Sequence, residues 1–200
     1  MSFDPNHQIH MEPIREDSPF LDTITAINEE AFPVLERFPV PAMVKMAQTD
    51  FDNFQLHFEA VMDGDVAVGF CMYLEFETCT YWMFLAMDAQ YRSRGYGTQV
   101  FALMGKQFRA KGKPGCFMIE ALDPESANYE QRVARKRLYL RMGMVDTGKH
   151  IQTKAGSMLV MTTKPDFDPS QSAGEMKDAM AQMFRALGLP VPEMPNANAQ

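Results

Sequence analysis

Apolar positions along this chain follow two rhythms, and the places where they exchange mark its elements. Gln55 to Met62 and Val66 to Phe76 read as strands, separated by Asp63-Gly64-Asp65. Asp-Gly supplies the positive backbone angles of a tight turn, so the pair predicts a hairpin. Thr80 to Met87 predicts a third strand. Upstream, His7 to Glu12 reads as a strand, Phe20 to Phe32 as a helix and Pro41 to Gln48 as a short helix. After Gly97, residues Val100, Phe101, Met104 and Phe108 recur at helical spacing. That run stops at Lys111-Gly112-Lys113-Pro114-Gly115, where basic residues and glycine suit a helix end. A strand over Cys116 to Ala121 and a helix over Glu125 to Met142, closed by Gly143, come next. Strands over Met144 to Gln152 and Ser157 to Thr163, turning at Lys154-Ala155-Gly156, complete the pattern. Strands alternating with helices predict a mixed α/β sheet of about six to seven strands with flanking helices and a parallel crossover.

Composition shifts near Pro165, where Pro, Ser, Asp and Gln begin to dominate. The expected organisation is therefore a domain over residues 1–164 and a C-terminal extension over residues 165–200. Within the extension Met176, Met180, Met183 and Leu187 form an apolar helical stripe. It needs a surface to pack on: the chain's own sheet, a second copy in a homodimer, or another protein. From Gly188 onward, Pro190, Pro192 and Pro195 predict a disordered tail.

With 200 residues, 46% of them hydrophobic, the chain can bury one substantial core. Its longest apolar run, Tyr81 to Met87, is too short to cross a bilayer, and Met1-Ser2-Phe3-Asp4-Pro5 does not resemble a signal segment. The expectation is a soluble cytoplasmic protein with no membrane partner. Lys and Arg total 19 against 26 Asp and Glu, a formal charge of −7. That balance argues against a general nucleic-acid binder, which needs a basic face, and suits cationic substrates such as amines. Cys71, Cys79 and Cys116 lie in apolar strand-like stretches and read as buried reduced thiols. The scattered histidines His7, His10, His57 and His150 suggest no metal site.

The informative segment is Leu85-Ala86-Met87-Asp88-Ala89-Gln90-Tyr91-Arg92-Ser93-Arg94-Gly95-Tyr96-Gly97-Thr98, a glycine-bearing loop between an apolar strand and an amphipathic helix. Such a loop binds anions, because glycine lets the backbone approach and the free N–H groups of a first helical turn face the ligand. Val100 occupies the third glycine position of a dinucleotide fingerprint, and no Lys-Ser or Lys-Thr pair completes a nucleotide loop. The pattern Arg92-x-x-Gly95-x-Gly97 after a strand ending Leu85-Ala86-Met87 resembles the cofactor motif of the GNAT acyltransferases. Arg137-Leu138-Tyr139-Leu140-Arg141-Met142-Gly143-Met144 is similar to that family's second signature, with Met144 in place of the usual aromatic residue. The likeness spans roughly residues 50 to 163.

The resemblance implies a GNAT fold and an N-acetyltransferase that uses acetyl-CoA to modify a primary amine of a small molecule or peptide. It implies that Leu85, Ala86 and Met87 hold the pantetheine arm, and that Arg92, Ser93, Arg94, Gly95, Tyr96, Gly97 and Thr98 hold the phosphates. Tyr139 matches the family tyrosine that protonates the departing thiolate. Relatives often carry an asparagine seven positions earlier, where this chain has Arg132. For a base to deprotonate the amine, Glu120 stands out because it interrupts the strand Cys116 to Ala121. Its bland alternative is an ion pair with Arg132, Arg135 or Arg137. A further alternative for the chain as a whole is a GNAT-like module that binds acetyl-CoA without catalysis and acts in protein interaction.

Overall fold

The computed structural model describes residues 9–34, 36–153, 156–168 and 173–191. Seven strands form one sheet: β1 (Ile9–Pro13), β2 (Gln55–Asp63), β3 (Val66–Glu75), β4 (Thr80–Met87), β5 (Gly115–Glu120), β6 (Val145–Thr153) and β7 (Gly156–Thr162). Their spatial order is β1-β2-β3-β4-β5-β7-β6. Neighbours pair antiparallel except β4 and β5, which run parallel. The helix α3 (Tyr96–Ala110) makes the crossover between those two. The mixed sheet and its parallel crossover are as the sequence pattern predicts. Turn chemistry explains the first hairpin, since Gly64 at φ 59° carries the chain from β2 into β3.

Two apolar layers sandwich the sheet. On one face α1 (Leu21–Ala31), α2 (Val40–Ala47) and α5 (Ala173–Ala186) cover Leu56, Phe58, Phe70, Met72 and Leu74. On the other face α3 packs Val100, Phe101, Met104 and Phe108 onto Val61, Val68, Cys71, Tyr73 and Trp82. The period of two delivers alternate residues to these layers: β3 is apolar almost throughout, whereas β2 turns Leu56, Phe58, Ala60 and Met62 into the α1–α2–α5 layer and alternates them with Gln55, His57 and Glu59. All three cysteines are buried thiols, and Cys116 Sγ lies 3.9 Å from Cys79 Sγ.

The stripe of the last helix finds its partner within the chain. Ala179 and Met183 are fully buried in the α1–α2 layer, with Met176, Met180 and Leu187 packed around them. Gln182 Nε2 donates to Asn53 Oδ1 at 2.9 Å, and Thr78 Oγ1 donates to Glu175 Oε2 at 2.5 Å. The predicted tail lies largely outside the described residues, which end at Val191. The turn residues Lys154 and Ala155, and His7 and Gln8 of the predicted first strand, also lie outside them.

Two elements differ from expectation. The helix α4 (Tyr129–Arg141) starts four residues after the predicted Glu125. Asp123-Pro124-Glu125-Ser126 folds instead into a turn, in which Asp123 Oδ1 accepts from Glu125 N at 3.0 Å and Ser126 Oγ donates to Asp123 O at 2.7 Å. Local side-chain bonds of this kind outcompete helix initiation. In β6 the register jumps between Asp146 and His150, and the extra residues are folded by Thr147 Oγ1 donating to Val160 O at 2.9 Å.

Candidate active site

The parallel pair at the centre of the sheet is almost unpaired. Only Thr80 with Gly115 and Tyr81 with Cys116 are in register. Beyond them the strands separate, so β4 from Trp82 and β5 from Phe117 present ladder edges to an open cleft. Backbone groups left unpaired in this way need other partners, which makes the cleft receptive to a ligand with amide groups of its own. At its vertex the rings of Trp82 and Phe117 stack with centroids 5.3 Å apart and planes 3° from parallel.

A bulge in β4 borders the same cleft. Met72 pairs with Phe84 but Tyr73 pairs with Trp82, which leaves Met83 as an extra residue. As a result Met83 and Phe84, although consecutive, both pack in the α1–α2–α5 layer, while Trp82 and Leu85 lie in the α3 layer. No turn residue signals this bulge in the sequence, so strand periodicity alone does not reveal it.

At the open end of the cleft β4 gives way to the glycine-bearing loop. Asp88 begins it: its N–H donates to Val68 O at 2.9 Å and its Oδ1 accepts from Gln90 N at 2.7 Å. A single turn over Ala89–Tyr91 follows. Ser93 (φ 62°) and Gly95 (φ 87°) then take left-handed conformations, a backbone shape that lines successive N–H groups along a concavity. Gly95 caps α3 with no side-chain hydrogen bond to its first turn. The first bond back into the helix is Gln99 N to Gly95 O at 3.1 Å. The amides of Tyr96, Gly97 and Thr98 therefore lack intrahelical acceptors, at the positive end of the helix dipole. Gly97 has an ordinary φ, and a Cβ placed there would meet nothing within 4 Å. Neither backbone conformation nor protein packing calls for glycine at this position, whereas an anion approaching the backbone does.

The arginines of the loop are already engaged. Arg92 forms a bidentate pair with Glu30 of α1, with Nη1 to Oε1 at 2.8 Å, and its Nε donates to Met87 O at 3.0 Å. Arg94 lies over the Tyr91 ring, 5.4 Å from its centroid. Tyr96 is buried and its hydroxyl donates to Asp63 Oδ2 at 2.5 Å, a bond that pushes its pKa up to about 12. These contacts tie the loop to α1 and to the β2–β3 turn.

Tyr139 of α4 reaches the other side of the cleft. Its ring sits 4.7 Å from that of Phe117 on β5 and 5.2 Å from that of Phe101 on α3. Burial pushes its pKa above the ordinary tyrosine value, with Arg135 opposing. Its hydroxyl therefore stays protonated, and available as a donor, across the neutral and mildly alkaline range.

Glu120 ends β5 with its carboxylate held by three side chains. Arg135 Nη1 lies 2.7 Å from Oε2, Arg132 Nη2 3.3 Å from Oε1, and Asn128 Nδ2 donates to Oε1 at 3.2 Å. Arg132 and Arg135 of α4 thus pair with Glu120. Glu120 also borders an open cavity of about 630 Å³ lined further by Asp123, Arg132, His150 and Ser157. The structure gathers the loop, the bulge and Tyr139 around one cleft, and sets Glu120 at the far end of β5.

Comparison with known proteins agrees with this geometry. Residues 21–144 match the model of the Acetyltransferase (GNAT) family. No curated protein matches the chain in sequence. Among solved structures, a GNAT-family protein from Bacteroides thetaiotaomicron superimposes with a TM-score of 0.64 at 17% identity, covering 88% of this chain and 98% of that one. The aminoglycoside 6'-N-acetyltransferase from Enterococcus faecium gives 0.58 at 14% identity, over 80% and 99% of the two chains. A GNAT family acetyltransferase from Elizabethkingia anophelis, solved with acetyl-CoA bound, gives 0.55 at 10% identity, over 78% and 97%.

Proposed function

The chain belongs to the acetyltransferase (GNAT) family, and on that premise we propose that it moves an acetyl group from acetyl-CoA to a primary amine of a small molecule or peptide. The observation that carries this reading is the separation of β4 and β5 beside an uncapped α3 N-terminus. One opening then offers unpaired strand edges for an amide-bearing arm and free N–H groups for a pyrophosphate.

Acetyl-CoA supplies an activated thioester. The amides of the Arg92 to Thr98 loop hold its phosphates, and the backbone of Leu85, Ala86 and Met87 holds the arm and polarises the acyl carbonyl. The amine nitrogen bonds to the acyl carbon, the carbon–sulfur bond breaks, and the amine loses a proton. Tyr139 donates its phenolic proton to the departing sulfur, a transfer eased by phenol and thiol acidities that differ by about two units in water.

Glu120 is the residue we assign to receiving the proton of the amine, through water in the cavity that it borders. A second reading is favoured by its ion pairs: with Arg132 and Arg135 on its oxygens, Glu120 instead fixes α4 against β5. The protein acts as a cytoplasmic enzyme; no helix among the described residues is long and apolar enough to cross a membrane.

Thiol release from acetyl-CoA, measured against a panel of amines and peptides, tests the reaction. Amine-dependent release is expected. Tight acetyl-CoA binding with no release on any acceptor would leave the non-catalytic module as the answer.

A further inference from the structure

The groups that serve the donor lie on one face of the sheet. Tyr139 packs against Phe101 and Phe117, and α3 presents its open N-terminus beside the same layer. An amine that meets the thioester from the other direction enters through the face covered by α1, α2 and α5.

On that face, four phenyl rings from four segments meet at the level of the bulge. Phe84 follows the bulge residue Met83, Phe32 follows α1, Phe38 precedes α2, and Phe184 belongs to α5. Ring centroids lie 5.1 Å apart for Phe32 and Phe84, 6.3 Å for Phe38 and Phe84, and 5.8 Å for Phe38 and Phe184. All four are only half-buried. Their neighbours in the same layer, Phe58, Phe70, Phe76, Met43 and Met46, are 2% exposed or less. These four rings, in contact with one another, keep part of their surface exposed beside the bulge of β4.

The rings are also held in place. Asn28 Nδ2 donates to Phe38 O at 3.0 Å, and Arg37 Nη1 donates to Phe32 O at 3.0 Å and to Glu29 O at 2.8 Å. These bonds tie the backbones of Phe32 and Phe38 in place, which lowers the entropy cost of receiving a ligand on their rings. Arg37 also pairs with Glu29, and Arg92 with Glu30.

We propose that the acceptor carries an apolar, phenyl-sized group beside its primary amine, received against the exposed sides of Phe38, Phe84 and Phe184. The C-terminal helix thereby takes part in choosing the substrate. Aromatic walls reward such a group. This proposal rests on the amine-acetylation reading above.

The test compares phenethylamine, butylamine and ethanolamine by thiol release at saturating acetyl-CoA. A hydrophobic pocket discriminates by on the order of 10-fold or more per apolar increment. We expect kcat/KM to rise in the order ethanolamine, butylamine, phenethylamine. Phe38→Ala and Phe184→Ala should lower the value for phenethylamine about 10-fold more than that for ethanolamine, chiefly through KM. Phe184→Leu, which keeps α5 packed, should show the same bias in smaller measure, and melting curves identify any variant that has lost its fold. Equal kcat/KM for the three amines, or equal losses on all of them in folded variants, would overturn the apolar subsite and leave the acetylation reading standing. Turnover of no amine at all would overturn both.

Discussion

The two helices that frame the cleft are held in opposite ways. α3 buries Tyr96, Val100, Phe101, Met104, Gly105 and Phe108, while α4 buries no residue completely. α4 is placed by charge: Arg132 and Arg135 meet Glu120, and Lys136 Nζ lies 2.6 Å from Asp146 Oδ2. Exposed pairs of this kind contribute about 0–1 kcal/mol each, far less than an apolar stripe. The difference follows from the proposed duties. An anion cradle has to be rigid before the ligand arrives, and a buried helix provides that rigidity. A proton donor has to touch the substrate, so the helix that carries Tyr139 remains at the surface of the cleft.

Removing the cradle should have the largest effect. Gly95→Glu sets a side chain and a negative charge where the backbone takes φ 87° and faces the ligand. Calorimetry should then show no acetyl-CoA binding, and unchanged affinity in a folded variant would refute the phosphate loop.

Next comes the packing of α3 itself. Met104→Ala should cost about 2–5 kcal/mol of stability, as large-to-small changes in a closed core do. Leu138→Ala on exposed α4 should cost less than about 0.5 kcal/mol. Equal shifts in denaturant midpoint would dissolve the contrast between the helices.

Tyr139→Phe removes one hydroxyl and should lower kcat by about 10²-fold with little change in the KM for acetyl-CoA. Because burial raises the pKa of Tyr139, the wild-type kcat should show no alkaline decline from this group until above its usual value near 10. A decline that begins near pH 8 and vanishes in the variant would contradict the assignment.

The smallest expected effect is that of Glu120→Gln, and its form separates the two readings. A base predicts activity lost most at low pH and partly regained at high pH, where the amine is already neutral. A tie for α4 predicts a profile parallel to wild type with a lowered melting temperature.

Most of the fold was legible because strand and helix periods are strong where both faces of an element are covered. β2, β3, β4 and α3 have the predicted extents to within a residue or two. The weak point was the start of α4, where no apolar stripe exists and local turn chemistry at Asp123 and Ser126 decides. The loop and its glycines were legible as a motif, but the engagement of Arg92 by Glu30 was not, since the two are far apart in sequence. The bulge at Met83 and Phe84 and the opening between β4 and β5 depend on pairing across strands, which one chain read residue by residue does not encode. The same holds for Glu75 at the end of β3, whose partners lie far along the chain. In the folded chain it meets Lys111 Nζ at 2.5 Å and Lys113 Nζ at 3.1 Å.

Trp82, the single tryptophan of the chain, stands at the vertex of the cleft, stacked on Phe117 with its indole N–H lacking a hydrogen-bond partner. Nature has thus installed one intrinsic fluorophore at the point where the two strands part. Excited at the red edge of its absorption, where the six tyrosines absorb little, it reports on that point. An occupant that enters between β4 and β5 alters the polarity around the indole, so a spectrophotometric titration can follow occupancy of the cleft without a label or a coupled reaction.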